Sequence, residues 1–535
     1  MQFDPLQFPY PSRRTPVYAR NGMVATSQPL AAQAGLIVLQ KGGNAIDAAI
    51  ATAAALTVVE PTSNGIGGDA FALVWTGGKL HGLNASGPAP QAISLEALAK
   101  AGVSEIPKYG FIPVTVPGAP SAWAELSARF GKLPLTEVLA PAIAYAEQGY
   151  PVSPTLGYYW KNAVNIFTKT LQGEEFKHWF DTFAPAGRAP EVGEMWRSEA
   201  HARTLQLIAE TKAEAFYRGA LAEQIDSYSC KHGGYIRKED LAAYRAEWVD
   251  PIRVNYRGYD VWEIPPNGQG LVALLALNIL KGFEFGERDT VDTYHKQLEA
   301  IKLAFADGKR YITDPRAMTV RVEDLLSDAY ADERRKLIGE RASEPASGEP
   351  NKGGTVYLCT ADGEGNMVSF IQSNYMGFGS GLVVPGTGIG LQNRGRDFSL
   401  DPTHDNRLEP GKKTYHTIIP GFMTRNGQPV GPFGVMGGYM QPQGHVQVVM
   451  NTVDFHLNPQ AALDAPRWQW MEGKTVEIET GAPDHVVQKL ARMSHGIKWA
   501  LGAGGFGRGE IIWRLENGVL VGGTEARADG QIAAY

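Results

Sequence analysis

The sequence predicts an α+β fold in which layers of helices pack on sheets. Residues 28–60 are rich in alanine and carry the pattern of two consecutive helices, whose small side chains let them lie close against a neighbouring layer. After them, strand-like apolar runs alternate with helical ones along much of the chain. A chain of 535 residues has room for a large core, built as one layered unit or as several domains.

The first two helices carry boundary signals. We expect the first to begin at a Ser27 cap and to end at Gly42–Gly43, and the second to begin at Asn44 and to stop before Pro61. A turn then leads into a strand at residues 70–75.

Residues 113–148 predict a short strand at 113–117 and helices at 123–130 and 139–148. The next section, 155–200, shows no clear period, so we expect irregular structure there. Its aromatic side chains either line a pocket or pack in the core, and packing is the commoner role. These side chains are Trp160, Phe167, Phe176, Trp179, Phe180, Phe183 and Trp196.

The middle of the chain combines a strand, a glycine-rich turn and two helices. An alternating strand is predicted at 251–264, the turn at 265–270 precedes a helix to about Leu280, and an amphipathic helix covers 292–311. The turn matches neither the Gly-x-Gly-x-x-Gly fingerprint nor a phosphate-binding loop with its lysine. A nucleotide-dependent enzyme is therefore not favoured.

The composition narrows the class of ligand. The 50 Lys and Arg nearly balance the 56 Asp and Glu, and there is no polybasic run, which argues against nucleic acid or an anionic membrane as a partner. The two cysteines, Cys230 and Cys359, fit neither a disulfide framework nor a zinc motif. We find no secretory signal and no apolar run long enough to span a bilayer, so we expect a cytoplasmic protein that acts on a small molecule.

Four histidines in the C-terminal third are not at metal-ligand spacings, so we expect surface or hydrogen-bonded groups and predict no metal and no cofactor. They are His404, His416, His445 and His456.

The chemistry is predicted at Thr355. Residues 340–354 are rich in Pro, Gly and Glu, which predicts an exposed loop, and from Thr355 two apolar runs flank an Asp-Gly turn at 362–366, as in a hairpin. A threonine hydroxyl needs a base, and its own α-amine, with an ordinary pKa of about 8, supplies one once the preceding peptide bond is cut. The alternative is a Gly-Gly hinge before a hairpin that happens to begin with threonine.

A second glycine pair follows a short apolar strand at 433–436. The backbone N–H groups of Gly437 and Gly438, at a turn that opens a helix ending near Met450, would point outward and hold a developing oxyanion. The alternative is an ordinary tight turn. Closing strands are expected within residues 511–530.

Six motifs occur in one order along the chain: Gly42–Ala49, Val59–Gly68, Val116–Gly118, Tyr256–Tyr259, Lys302–Asp307 and Thr355–Gly381. In these motifs the chain resembles the γ-glutamyltransferase family of N-terminal nucleophile hydrolases, in particular its cephalosporin-acylase-like branch. The resemblance implies a precursor cut before Thr355 into a large subunit, residues 1–354, and a small subunit, residues 355–535. It also implies that both fold together as one four-layer αββα sandwich.

The resemblance assigns roles to single residues. Thr355 would be the nucleophile, Ser373 the hydroxyl that hydrogen-bonds its amine, and Gly437 and Gly438 the oxyanion hole. Asp397 would meet a substrate ammonium. The substrate-binding positions it implies are Tyr375, Arg394, Asp397, His416 and Thr417.

The substrate positions depart from those of the transpeptidases. The arginine that grips the glutamyl carboxylate aligns with Ile93, and the segment 401–413 is too short for the lid of some members. Arg394, where the family has Gln or Glu, either clamps a substrate carboxylate or pairs with Asp397 three residues later. The other departures are Tyr375 for asparagine, His416–Thr417 for a serine pair and Val356 for threonine.

Residues and resemblance together predict an autoprocessed acyltransferase or amidohydrolase that cleaves γ-glutamyl (glutathione-like) or glutaryl-type amides through an acyl-enzyme ester. The alternatives are a cephalosporin acylase-like amidohydrolase with little γ-glutamyl transfer and a catalytically silent scaffold of the same fold. The expected partners are a small-molecule amide and the two subunits of one precursor, and a homo-oligomer is left open.

Overall fold

The computed structural model describes residues 14–345, 354–502 and 504–535, which form nineteen strands and nineteen α-helices. The strands are β1 (Val17–Ala19), β2 (Gly22–Thr26), β3 (Asp69–Thr76), β4 (Lys79–Ala85), β5 (Tyr150–Pro151), β6 (Met195–Trp196), β7 (Glu247–Val249), β8 (Ile252–Tyr256), β9 (Tyr259–Glu263), β10 (Gly354–Asp362), β11 (Met367–Tyr375), β12 (Gly421–Arg425), β13 (Gln428–Met436), β14 (Trp468–Glu472), β15 (Thr475–Glu479), β16 (Gly496–Ala500), β17 (Arg508–Arg514), β18 (Leu520–Thr524) and β19 (Gln531–Ala534).

The helices are α1 (Pro29–Gln40), α2 (Ala45–Val59), α3 (Leu95–Lys100), α4 (Ala119–Phe130), α5 (Leu135–Val138), α6 (Ala140–Gln148), α7 (Pro154–Thr170), α8 (Lys177–Phe183), α9 (Glu199–Thr211), α10 (Glu214–Arg218), α11 (Ala220–Lys231), α12 (Lys238–Ala243), α13 (Gly270–Leu280), α14 (Val291–Tyr311), α15 (Val322–Leu325), α16 (Asp328–Arg335), α17 (Met440–Val453), α18 (Pro459–Asp464) and α19 (Asp484–Arg492). Within the described ranges, none of them combines the length and apolar content needed to cross a bilayer.

Two antiparallel sheets of seven strands organise the molecule. One has the order β19-β2-β10-β11-β3-β4-β7 and the other the order β1-β18-β17-β13-β12-β9-β8. Strand β10 contacts β13 and β17 of the second sheet, and the apolar side chains between the sheets include Phe71, Tyr357, Phe422 and Ile512. Helices α1 and α2 pack on the first sheet, and α13 and α17 pack on the second. The fold is thus a mixed one of helices and antiparallel sheets.

The alanine-rich helix pair forms as predicted. Every residue of α2 is buried, and Asn44 caps its N-terminus by accepting from the backbone N–H groups of Ile46 and Asp47. A Cβ at Gly35 of α1 would lie 2.4 Å from the Thr52 hydroxyl, so the two helices approach more closely than a larger residue permits. The cap predicted at Ser27 is wrong, because α1 begins one residue later and the Ser27 hydroxyl donates to Glu60.

Three sequence-based expectations need correction. Residues 113–117 are not a strand, since two prolines remove ladder donors and the Val116 N–H is donated to Pro88 outside the sheets. The 155–200 section is largely helical, with α7 and α8 inside it. The strand predicted at 251–264 is the hairpin β8–β9, which turns at Arg257 and Gly258 with left-handed φ angles of 51° and 85°.

The aromatic residues of this section pack in the core. Trp160, Trp179 and Phe183 surround the ring of Phe378, with centroid distances of 4.8 to 5.9 Å. Phe167 alone of the seven also lines the cleft described below.

The predicted hairpin at Thr355 is confirmed as β10 and β11. Their register changes between Gly354, opposite Tyr375, and Val356, opposite Gln372. Of the predicted exposed loop, residues 346–353 lie outside the described residues, and Gly354 already belongs to β10.

Candidate active site

Thr355 lies at the irregular start of β10, where its hydroxyl is turned toward β11. The side chain is fully buried, and Thr355 Oγ1 lies 3.0 Å from Ser373 Oγ. A bulge adds a residue to one strand and re-aims the side chain beside it, which accounts for a contact that regular pairing would not make.

The Ser373 hydroxyl connects the threonine to the peptide bond that precedes it. Ser373 Oγ donates to the carbonyl oxygen of Gly354 at 2.7 Å and accepts from the backbone N–H of Tyr375 at 2.8 Å. With its only proton given to Gly354, Ser373 can only accept from Thr355. The Thr355 oxygen is thereby held beside the carbonyl group of its own preceding peptide bond.

Gly437 and Gly438 form the turn between β13 and α17, with φ angles of 138° and 59° that favour glycine. A Cβ on Gly437 would lie 3.0 Å from the Cα of Gly507, so the backbone is tightly packed there. Gln269 Nε2 donates to the carbonyl oxygens of Gly438 (2.9 Å) and Thr417 (2.6 Å), which ties the glycine turn to the segment that carries Thr417. We refer to Thr355, Ser373, Gly437 and Gly438 as the reaction end.

Four of the predicted substrate-binding residues contact one another and form, with Tyr439, what we call the acyl wall: Tyr375, Arg394, Asp397, Thr417 and Tyr439. Asp397 accepts from the Tyr375 hydroxyl at 2.5 Å and from the Tyr439 hydroxyl at 3.4 Å. Arg394 Nη1 donates to Thr417 Oγ1 at 2.7 Å and lies 3.4 Å from Asp397. Burial raises the pKa of Asp397, and the charge of Arg394 and the Tyr375 hydroxyl oppose that rise.

The fifth predicted residue, His416, pairs with Asp69. It is fully buried, and His416 Nε2 lies 3.0 Å from Asp69 Oδ2. Burial, reinforced by the charge of Arg394, keeps the pKa of His416 well below its usual value, so the ring is neutral. Burial raises the pKa of Asp69 from 3.8 to about 7, against the charge of Arg394.

Ile93 lies in an apolar cluster with Ala89, Leu98, Phe398 and Leu408. The position that the resemblance aligned with the carboxylate-gripping arginine is therefore filled by apolar packing, in which Phe398 directly follows Asp397 in the chain.

A cleft of about 410 Å³ opens beside Gly354 and Gly437. Helix α7 supplies much of its wall through Tyr159, Asn162 and Ile166, and Lys108 and Arg508 also line it. None of the predicted substrate-binding residues is among the lining residues of this cleft.

Sequence reasoning did not identify Arg508 or helix α7 as parts of this site. Arg508 Nη1 pairs with Glu60 at 2.8 Å, and its guanidinium lies 4.6 Å from the centre of the Tyr159 ring. Glu60 and Tyr159 are distant from Arg508 in sequence, so no local spacing signals the group.

Among the residues that the structure describes, one cluster has donor types that suit a metal ion. Ligand atoms of His295, Glu299 and His495 lie within 4.8 Å of one another. The Lys302 ammonium holds Glu299 at 2.7 Å, and His295 Nδ1 and His495 Nε2 lie 2.9 Å apart as a hydrogen-bonded pair. These contacts already engage Glu299, both ring nitrogens of His295 and Nε2 of His495, so we assign no metal to the cluster.

Comparison with known proteins gives one consistent picture. A sequence model described as gamma-glutamyltranspeptidase matches residues 31–535. The crystal structure of cephalosporin acylase from Bacillus halodurans is 67% identical, with a TM-score of 0.98 over 100% of this chain and 99% of that one. The glutathione hydrolase-like YwrD proenzyme of Bacillus subtilis is 37% identical, over 95% of this chain and 97% of its own. The oxamate amidohydrolase proenzyme of Klebsiella pneumoniae is 35% identical, over 96% and 98%. These matches cover every site residue described above.

Proposed function

Because the chain belongs to the gamma-glutamyltranspeptidase family and is an enzyme of that family, we propose that it is an autoprocessed amidohydrolase or acyltransferase with Thr355 as its nucleophile. Its substrates are γ-glutamyl or glutaryl-type amides. The names of the relatives support amide hydrolysis, and two of them are named proenzymes.

One observation carries the proposal. Ser373 bridges the Thr355 hydroxyl and the Gly354 carbonyl, with contacts of 3.0 and 2.7 Å, next to the cleft that Gly354 and Gly437 line. A structural hinge would not need a second hydroxyl that joins its threonine to the preceding peptide carbonyl. A nucleophile needs that arrangement.

The proposed self-cleavage begins when Thr355 Oγ attacks the carbonyl carbon of Gly354. The C–O bond forms, the C–N bond breaks, and the proton of the hydroxyl passes to the nitrogen of Thr355. Water then hydrolyses the ester, which leaves a carboxylate on Gly354 and an amine on Thr355.

Turnover repeats the attack on a substrate amide. The α-amine of Thr355 accepts the hydroxyl proton and passes it to the leaving nitrogen, while the N–H groups of Gly437 and Gly438 stabilise the oxyanion. Water or a second amine then takes the acyl group from Thr355, which gives hydrolysis or transfer.

The same proposal includes the two subunits, residues 1–354 and 355–535, in one four-layer αββα sandwich. The packing of α1 and α2 on one sheet and of α13 and α17 on the other supports it. A cytoplasmic location, a cofactor-free reaction and the oligomeric state remain predictions from the sequence.

The test is intact-mass measurement of the purified protein together with a panel of p-nitroanilides. We expect two chains divided between Gly354 and Thr355 and release of p-nitroaniline. Thr355→Ala should remain one chain and be inactive, whereas Thr355→Ser, which keeps a hydroxyl, should still divide.

Cleavage of Thr355→Ala at the same bond would move the nucleophile elsewhere. A wild-type protein that stays one chain and releases no product would support the silent scaffold instead.

A second candidate, an acylase with little γ-glutamyl transfer, is favoured by the state of Asp397. The resemblance gives this carboxylate to a substrate ammonium, but two tyrosine hydroxyls and Arg394 already engage it.

A further inference from the structure

One motif found in the sequence, Lys302–Asp307, has no part in the proposed chemistry. It lies in the second half of helix α14, and both of its charged side chains are buried. A buried charge is costly unless it is paired. The partners of Lys302 and Asp307 therefore indicate what the motif does.

Both side chains bind the segment that follows α14 and leads toward the proposed cut. Asp307 pairs with Arg334 of helix α16 at 3.0 Å. Lys302 Nζ donates to the carbonyl oxygen of Ser343 at 3.2 Å. We refer to residues 328–343, from the start of α16 to Ser343, as the arm. The motif thus holds the arm at two points along its length.

The contact at Ser343 uses every polar group of that residue. Glu299, one helical turn before Lys302, accepts from the Ser343 hydroxyl and, at 3.0 Å, from its backbone N–H. Lys302 Nζ lies 2.7 Å from Glu299 and also donates to the Ser343 carbonyl oxygen. Hydrogen bonds to charged groups are stronger than neutral ones, so one buried ion pair fixes this end of the arm.

The arm also contacts the part of the protein that becomes the small subunit in the proposed cut. The backbone N–H of Ala342, a buried residue, donates to the carbonyl oxygen of Met493 at 2.8 Å. His295 of α14 donates from Nε2 to the Gly339 carbonyl oxygen at 2.8 Å, and its Nδ1 lies 2.9 Å from His495 Nε2. The end of the arm is therefore bound by groups from both subunits.

The proposed cut changes how the arm is attached. In the uncut chain the arm continues through residues 344–353 into strand β10, so both of its ends are tethered. A segment tethered at both ends gains less entropy on release than one with a free end. After the cut the second tether is gone, and noncovalent contacts alone keep the end of the arm in place.

We propose that Glu299 and the Lys302–Asp307 motif form a strap, which keeps the arm bound to both subunits after the cut. The strap preserves the contact between Ala342 and Met493 when the covalent link between the subunits is lost. This inference rests on the proposed self-cleavage, and it gives the motif a role in holding the cut protein together.

Hydrogen exchange followed by mass spectrometry tests the strap. The sample is Thr355→Ala with a thrombin site inserted within residues 346–353, measured before and after thrombin treatment, so that the cut does not depend on self-cleavage. We expect the amides of Ala342 and Ser343 to exchange slowly, at rates that agree within about twofold between the two states.

A double variant, Glu299→Met with Lys302→Met, removes the ion pair without leaving an unpaired buried charge. In the same thrombin-site background, exchange at Ala342 and Ser343 should rise by about tenfold or more, the scale of hydrogen bonds to charged groups. It should rise about threefold further on cutting, because the second tether is then lost. Ser343→Ala, which deletes a single hydroxyl, should shift exchange in the same direction and serves if the double variant does not fold.

Lys296→Met is the matched control. Lys296 lies on the same helix and pairs with Asp292 of that helix at 2.7 Å. Its replacement should leave the exchange of the arm unchanged in the cut and the uncut state.

Two results would overturn the inference. One is exchange of Ala342 and Ser343 at the rate of an unstructured peptide in the cut protein with the strap intact. The other is a rise in the double variant that is equal in the cut and uncut states, which would leave the ion pair as an ordinary part of the core.

Failure of the proposed function gives a different result, because the wild-type protein then stays one chain in the mass spectrum. The thrombin-cut sample still decides, by the same two criteria, whether the strap holds the arm of a cut protein.

Discussion

The reaction end and the acyl wall lie side by side and are built differently. At the reaction end the contacts join hydroxyls and backbone groups of adjacent strands, such as Thr355, Ser373 and Gly354. In the acyl wall the contacts join buried charges and phenols from separate segments, such as Arg394, Asp397 and Tyr439.

The difference separates reactivity from selectivity. Under the proposed function, backbone geometry at a bulge and at a glycine turn places the groups that break the bond, whatever the acyl group. We expect the charges of the acyl wall to decide which acyl group is accepted. A change at the reaction end should therefore alter the rates for all substrates, and a change in the acyl wall should alter the ratios between those rates.

The largest expected effect is at the glycine turn. Gly438→Pro removes an N–H donor, and loss of one oxyanion donor raises the barrier by about 3 to 4 kcal/mol. The rate should fall equally for glutaryl and valeryl anilides. Gly438→Asn is the control, because asparagine tolerates the φ of 59° and keeps the N–H.

Circular dichroism must show Gly438→Pro folded for the comparison to count. Near-normal turnover in a folded Gly438→Pro protein would place the oxyanion hole elsewhere.

A smaller effect is expected at Ser373. Ser373→Ala deletes the hydroxyl between Thr355 and Gly354, and loss of a buried hydrogen bond costs about 1 to 3 kcal/mol. Self-cleavage, followed by mass against time, should slow by about tenfold to a hundredfold.

Ser369→Ala is its matched control. Ser369 is buried in the same strand and bonds Tyr357 at 2.7 Å, without contact to Thr355. Equal cleavage rates in Ser373→Ala and Ser369→Ala would show that the Ser373 hydroxyl has no part in self-cleavage.

The last effect is one of stability and not of rate, and it concerns the buried carboxyl group of Asp69. Because the pKa of Asp69 is about 7 in the folded chain and about 4 when unfolded, only the unfolded chain loses this proton between those values. The free energy of unfolding should therefore fall as pH rises from 4 to 7, by at most about 1.4 kcal/mol per pH unit.

Asp69→Asn should lack this slope. Urea unfolding at pH 5 and pH 7 gives the free energy of unfolding of Asp69→Asn and of its parent, both in a Thr355→Ala background. The change between the two pH values is then compared. Identical pH profiles would mean that Asp69 titrates alike in the folded and unfolded chain and contributes nothing to the pH dependence of stability.

The sequence predicts the backbone features of the site better than its long-range side-chain pairs, for a physical reason. The hairpin and the glycine turn follow from short patterns of apolar residues and turn formers, and both form where expected. Side-chain pairing has no such local pattern. His416 meets Asp69 across 347 positions, and Arg508 meets Glu60 across 448.

The errors in the fold have similar causes. Residues 113–117 alternate like a strand, yet prolines at both ends leave few ladder donors. Helices α7 and α8 were missed because their bulky aromatic residues obscure the helical period, although those residues pack inward from α7 and α8 as in any amphipathic helix.

The interleaving of the two sheets has a consequence for unfolding. In the first sheet β10 and β11 lie between β2 and β3, and β19 lies on the other side of β2; the second sheet likewise mixes strands from before and after Gly354. Once the bond to Thr355 is cut, neither polypeptide can leave without opening both sheets. A cut molecule that does unfold yields two separate chains, and its refolding becomes a bimolecular encounter. We therefore expect the proposed cut to leave a protein that is durable while folded and dependent on its own concentration for recovery after denaturation.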